Sequence, residues 1–135
     1  MTGETNLKRL LAGMRPLMQP GIFVFATVPA GSPVPAGVEP VMVFRESEGL
    51  TLILEEAVGR KAGLDGTFHS RMITLEIHSS LDAVGFLAAI TARLAEAGMG
   101  VNPVSAFYHD YLFVPADRAA EALRILETIA RDAAS

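Results

Sequence analysis

A chain of 135 residues, half of them hydrophobic, has enough apolar material for one compact domain or for two small ones sharing a core. With 11 Lys and Arg against 15 Asp and Glu the formal charge is −4, and the basic residues pair only as Lys8-Arg9 and Arg60-Lys61, which excludes the electrostatic footprint of a nucleic-acid or membrane-surface binder. The absence of cysteine excludes disulfides, thiolate metal sites and cysteine catalysis; the short apolar stretch in MTGETNLKRLLAGM and the lack of any membrane-length apolar run lead us to expect a cytoplasmic protein.

The first expected element is a short helix, with Leu7, Leu10, Leu11 and Met14 at i, i+3, i+4, i+7, Thr5 as its cap and Lys8 and Arg9 facing away. Pro16 and Pro20 end it. Ile22 to Val28 (IFVFATV) reads as a strand buried on both faces. Pro29 to Pro40, with four prolines, is a loop, either a surface excursion or a lid over a ligand. FRESEGLTLIL reads as a tight hairpin about Ser47-Glu48-Gly49, followed by a short helix over 55–62 that Gly63 stops. Met72 to His78 alternates, with Ile73, Leu75 and Ile77 on one face. A helix over 82–97 is expected to carry Val84, Leu87, Ala88, Thr91, Leu94 and Ala95 on its buried stripe, and Gly98 stops it. Strands at 101–107 and 111–114 follow. Asp117 then opens a last helix whose buried face is Ala119, Ala122, Leu123, Leu126, Ile129 and Ala130. The two halves thus read α-β-β-β-α and β-α-β-β-α. Neither completes a ferredoxin-like β-α-β-β-α-β unit by itself, so a shared or exchanged strand is expected to finish each sheet.

An aspartate followed by a glycine three residues later, then an apolar helix ending in AEAG before a strand, resembles the ACT domain; the matching residues are Asp82, Gly85, Leu87, Ile90, Leu94, Ala95, Gly98 and Val101. Val84 stands where that family usually has proline. The segments GETNLKRLLAGMRP, FRESEGLTLIL, HSSLDAVGFLAAI and YHDYLFVP, in this order, resemble a group of small bacterial proteins built from two ACT-like units, although Tyr111 stands where histidine is more usual. The double serine and aspartate also resemble ACT units of aspartate kinases and animal arginine sensors. The resemblance implies an α+β, ferredoxin-like protein of two ACT-like units in one globule, with the units expected at 1–67 and 68–135. It also implies a non-catalytic regulatory module that binds a free amino acid and signals to an unidentified protein partner, itself a homo-oligomer.

The ligand-binding candidates are Ser79, Ser80, Leu81, Val84, Gly85, Phe107, Tyr108, His109 and Asp110. Serines where a strand becomes a helix can cap it, or can offer hydroxyls and neighbouring N–H groups to a ligand carboxylate. Asp82 suits the helix dipole as a capping acid and would repel an anion. A glycine inside a helix costs about 1 kcal/mol relative to alanine, so Gly85 needs a close packing partner or a ligand to offset it. Asp110 sits in a strand corner, and the resemblance implies that it faces the ligand's ammonium; His109 is a contact or a surface residue. The histidines 69, 78 and 109 form no metal-ligand spacing, so neither a metal nor a cofactor is expected. No nucleophile elbow, phosphate loop or dinucleotide fingerprint is present. A structural, oligomer-forming protein without ligand is the alternative reading, and a His109–Asp110 acid–base pair a distant third.

Overall fold

The computed structural model describes residues 5–135. The chain forms two compact units: a terminal unit of residues up to Gln19 with Arg71–Ser135, and a middle unit of Pro20–Ser70. This division differs from a linear boundary after residue 67, because the first helix and strand group with the C-terminal half.

In the terminal unit, helix α1 (Leu7–Gly13) is capped by Asn6, whose Oδ1 accepts from the Arg9 N–H at 3.0 Å, one position beyond the expected Thr5. Leu10 and Met14 are buried and Leu11 half-buried, while Leu7 lies at the rim, 37 % exposed. Strand β1 (Arg15–Met18) follows at once, an element the sequence reading missed. It pairs antiparallel with the last residues of β5 (Thr67–Glu76), from Arg15↔Glu76 to Met18↔Ile73. Pro16 is tolerated there because an edge strand has one row of backbone groups without ladder partners. Helix α3 (Phe86–Glu96), strands β6 (Asn102–Ser105) and β7 (Asp110–Pro115), and helix α4 (Ala119–Ala134) complete the unit, with a short 3-10 turn at Ala116–Arg118. The strand order is β1-β5-β7-β6. A β-α-β-β-α run therefore takes its fourth strand from the start of the chain.

Helical spacing explains the core. Ala119, Ala122, Leu126 and Ile129 on α4 fall at the expected 3.6-residue period and pack with Ile73, Leu75, Leu112 and Val114 from the sheet. On α3 the buried residues are Phe86, Ile90 and Leu94, at i, i+4, i+8. The expected stripe was rotated: Val84 is outside the helix, and Ala88 and Ala95 are exposed. Each fully buried Leu or Ile contributes roughly 1.5–3 kcal/mol relative to exposure. Arg118 closes α3 from outside, donating to the carbonyls of Ala97 (2.8 Å) and Gly98 (3.1 Å) while its fork also holds the Glu121 carboxylate. Asp117 lies in the 3-10 turn and accepts no capping bond from α4.

In the middle unit β2 (Phe23–Pro29), β3 (Met42–Arg45) and β4 (Gly49–Glu55) precede helix α2 (Glu56–Lys61), and the first residues of β5 supply the fourth strand in the order β3-β4-β2-β5. The β2–β4 ladder runs unbroken from Phe23↔Glu55 to Pro29↔Gly49. Val24, Ala26, Val28, Leu50, Leu52 and Leu54 form its core. Burial of β2 on both faces holds only at its start, since Thr27 and Pro29 are exposed. The β2–β5 pairing shifts register between Phe23↔Ser70 and Phe25↔Thr67, beside Phe68 at φ 59°. Gly66 is required here, because a Cβ would lie 2.4 Å from the Val24 side chain. Where the terminal unit has α3, this unit has the proline-rich segment 30–41, without helix. The terminal unit is thus completed by a strand from the start of the chain, and the middle unit by the first residues of β5, a strand the two units share.

Candidate functional site

Two pieces of the terminal unit meet: the exit from β5 and the corner between β6 and β7. After Glu76 the backbone leaves the ladder through short-range bonds, Ile77 N–H to Leu75 O (2.9 Å) and Ser79 N–H to Ile77 O (3.0 Å). Ser80 then organises a turn. Its Oγ accepts from the Asp82 N–H (3.0 Å) and its carbonyl from the Ala83 N–H (3.0 Å). This local bonding competes with helix formation and delays α3 to Phe86, four residues beyond the expected start. Asp82 therefore sits in an exposed turn and does not cap the helix.

Gly85 is the N-cap of α3 at φ 89°, a conformation that favours glycine. The reason for the glycine is this left-handed backbone, and close packing is not required: a Cβ would meet only Leu7 Cδ2, at an ordinary 3.6 Å. The helix receives no side-chain cap and has no acidic residue in its first turn. Among the described residues, no side chain caps its opening N–H groups or sets an acid against the positive end of its dipole.

At the other corner the Ala106 N–H donates to His109 O (3.0 Å), closing a tip on which Phe107 and Tyr108 are 60 % and 64 % exposed. The Tyr108 ring lies 5.8 Å from that of His78 and 4.9 Å from Phe107. His109 is half-buried with Nδ1 3.3 Å from Ile77 O. It makes no hydrogen bond to Asp110, so the acid–base pair considered for these neighbours is not assembled.

Asp110 joins the two pieces. Asp110 is only 7 % exposed; its Oδ2 accepts from the Ser79 hydroxyl (3.1 Å) and its Oδ1 from the Ser105 hydroxyl (2.6 Å). Ser79 is itself buried. Among the described residues no Lys or Arg forms an ion pair with Asp110. Burying a carboxylate costs several kcal/mol unless hydrogen bonds and an opposite charge compensate, and here two hydroxyls compensate in part. Each carboxylate oxygen retains a lone pair for a further donor.

Of the expected contacts, the structure brings Ser79, Tyr108, His109 and Asp110 to one corner together with His78. Ser80 is engaged by its own turn, Gly85 opens the helix, and Leu81 (69 % exposed) and Val84 (83 % exposed) extend into solvent. Ser105 was missed. Its only sequence signal is a hydroxyl five residues before an aspartate across a strand corner, which becomes informative once the β6–β7 register (Ser105↔Asp110) is known. Among the described residues no group of three or more histidines and carboxylates is placed to hold a metal ion, and no helix is long and apolar enough to cross a membrane.

Residues 2–71 match one model of the ACT domain, and residues 67–128 match a second. A Vibrio cholerae protein of unknown function, described as a possible transport protein, shares 39% sequence identity and superposes with a TM-score of 0.80 over 92% of this chain and 95% of its own. An Agrobacterium tumefaciens protein is similar at 18% identity and a TM-score of 0.71, over 87% of this chain and 89% of its own. The ligand-free regulatory subunit of aspartate kinase from Thermus thermophilus shares the fold at 10% identity and a TM-score of 0.61, over 84% of this chain and 95% of its own. No curated protein matches the chain.

Proposed function

Because the chain belongs to the ACT-domain family and carries two such units in tandem, whose members are regulatory modules, we propose that it binds a free amino acid at the Asp110 corner and passes the signal to a partner protein. The observation that carries this reading is Asp110 itself: a buried carboxylate held by two serine hydroxyls and lacking a cation among the described residues. An α-ammonium group supplies that missing charge. The uncapped N-terminus of α3 beyond Gly85 offers N–H groups to the α-carboxylate. Ser79 and Ser80 hold the loop between the two, and Phe107, Tyr108 and His109 flank the ammonium end. In this reading the exposed Leu81 and Val84 form the rim of the site. Binding regulates by favouring one of two arrangements of the chain or of a homo-oligomer, since a ligand shifts an equilibrium only through unequal affinity for its states. The reading includes no catalytic step.

The alternative, a structural oligomer-forming protein, is favoured by the exposure of Leu81, Val84, Phe107 and Tyr108 at the same corner. Thermal unfolding with each of the twenty amino acids separates the two. A ligand at about 100 times its Kd adds roughly 2.7 kcal/mol, and a stabilisation of that size by one or two amino acids, lost in Asp110→Asn, supports the binding reading. An unchanged melting temperature with all twenty supports the structural one.

A further inference from the structure

Antiparallel ladders alternate between residue pairs that exchange backbone hydrogen bonds and pairs that do not. On a strand with a single neighbour, every second residue therefore turns its N–H and C=O outward. Among the described residues three strands have a partner on one side only: β1 and β6 in the terminal unit and β3 in the middle unit. In β1 the Gln19 N–H donates to Met72 O (2.8 Å), which with the register Met18↔Ile73 turns Pro16 and Met18 outward. In β6 the bond from the Ala106 N–H to His109 O likewise turns Pro103 and Ser105 outward. Each of these two edges thus carries proline at an outward position, where it removes a donor that another strand would need.

β3 carries no such block. The Glu46 N–H donates to Gly49 O (2.9 Å), and the ladder continues as Arg45↔Leu50, Phe44↔Thr51 and Val43↔Leu52. The outward residues are therefore Val43 and Arg45, and both have an N–H to give. The side chains of this strip are apolar and open to solvent, with Val43 44 % and Phe44 62 % exposed. By alternation Phe44 shares one face with Met42, and Val43 shares the other with Arg45. The Val41 N–H turns inward onto Ile53 O (2.7 Å), which ends the open strip at Met42.

We propose that β3 is the contact through which two copies of this chain pair, antiparallel and about a two-fold axis at Phe44. The outward groups are symmetric about that residue. The N–H and C=O of Val43 meet the C=O and N–H of Arg45 in the second copy, and the same exchange recurs across the axis. Phe44 then stands directly opposite the Phe44 of the second copy, an aromatic cross-strand pair. The aliphatic stem of Arg45 lies over the Val43 of the second copy on the other face. A contact that uses the same strip on both chains closes at two, whereas a head-to-tail contact can grow without limit. The prolines of β1 and β6 oppose that second outcome, which leaves β3 against β3 as the open pairing between copies. The Asp110 corner takes no part in it.

Sedimentation equilibrium of the full chain at micromolar concentration reads the assembly, and two variants read the contact. Val43→Pro removes an outward donor while leaving the β3–β4 hydrogen bonds in place, so it should sediment as a single chain with the circular dichroism of wild type. The chain has no cysteine of its own, so Phe44→Cys places one thiol on each copy. Across the axis their Cα atoms stand about 4.5 Å apart, within disulfide reach. Under mild oxidation Phe44→Cys should cross-link about tenfold faster than Val84→Cys, a control at a position 83 % exposed in the terminal unit. The proposal is overturned if wild type sediments as a single chain, if its assembly survives Val43→Pro, or if cysteine at 44 cross-links no faster than cysteine at 84. The cross-linking comparison decides the matter even where Val43→Pro fails to fold, and none of these outcomes bears on amino-acid binding at Asp110.

Discussion

Removing the Ser79 hydroxyl tests whether Asp110 is the joint between the β5 exit and the β6–β7 corner. In Ser79→Ala, Oδ2 of Asp110, a residue only 7 % exposed, loses its donor at 3.1 Å, while Oδ1 keeps Ser105. A hydrogen bond to a charged group contributes about 1.5–3 kcal/mol, and residual access of water to Asp110 places the expected loss near 2 kcal/mol. Asp110→Asn should cost less, about 1 kcal/mol. One serine can still donate to the amide oxygen, and the other can accept from the amide nitrogen. Once Asn stands at 110, the charged acceptor is gone and Ser79→Ala should cost only about 1 kcal/mol more, a coupling of about 1 kcal/mol between residues in direct contact. Urea unfolding of the four proteins, followed by far-ultraviolet circular dichroism, measures all three quantities. Strict additivity, or a Ser79→Ala loss below about 0.5 kcal/mol, would refute the view that this bond is formed and desolvated.

Other positions carry separate expectations. Gly85→Ala forces an L-residue into a left-handed conformation where its Cβ makes only an ordinary 3.6 Å contact with Leu7 Cδ2, so the melt should report strain alone, about 1–2 kcal/mol. Gly66→Ala meets Val24 at 2.4 Å and should cost about 3 kcal/mol or leave the protein insoluble, a sharp contrast readable in the same assay. Arg118→Met removes the donors to Ala97 O and Gly98 O; we expect a loss of about 1–2 kcal/mol and faster hydrogen exchange in the last turn of α3. Leu10→Ala, at a fully buried position on α1, should cost about 2–5 kcal/mol, and a loss under 1 kcal/mol would show that α1 does not belong to the terminal core.

Elements with a clean period were legible before any coordinates. Ile73 and Leu75 alternate as a strand buried on that face, and α4 buries Ala119, Ala122, Leu126 and Ile129 of the face its spacing assigns, with Leu123 and Ala130 half-buried beside them. β1 was not legible, since a four-residue strand containing Pro16 carries no alternation that distinguishes it from a helix end. The start of α3 was misplaced because Asp82 and Gly85 fit a helical first turn as well as they fit the observed turn and N-cap. Only the Ser80 Oγ bond to the Asp82 N–H decides between them. Asp110 was recognisable as a candidate through its corner position and family resemblance. Its pairing with Ser79 spans 31 residues and with Ser105 depends on strand register, both of which are properties of the fold and absent from local spacing.

The strand lent from the start of the chain also imposes an order in time. Residues 20–70 of the middle unit can pair as soon as they leave the ribosome, because every strand they need lies within them. α1 and β1 emerge before that unit yet have to wait for β5, whose Ile73 is the partner of Met18, and for α4, which ends at Ala134. At about 5–20 residues per second, that wait is roughly 6–23 seconds after Gln19 is made. During this interval Leu10, Leu11 and Met14 have no core to enter. A nascent chain therefore holds a finished middle unit before the terminal unit can close, and Leu10, Leu11 and Met14 stay exposed to chaperones or to misassembly until it does.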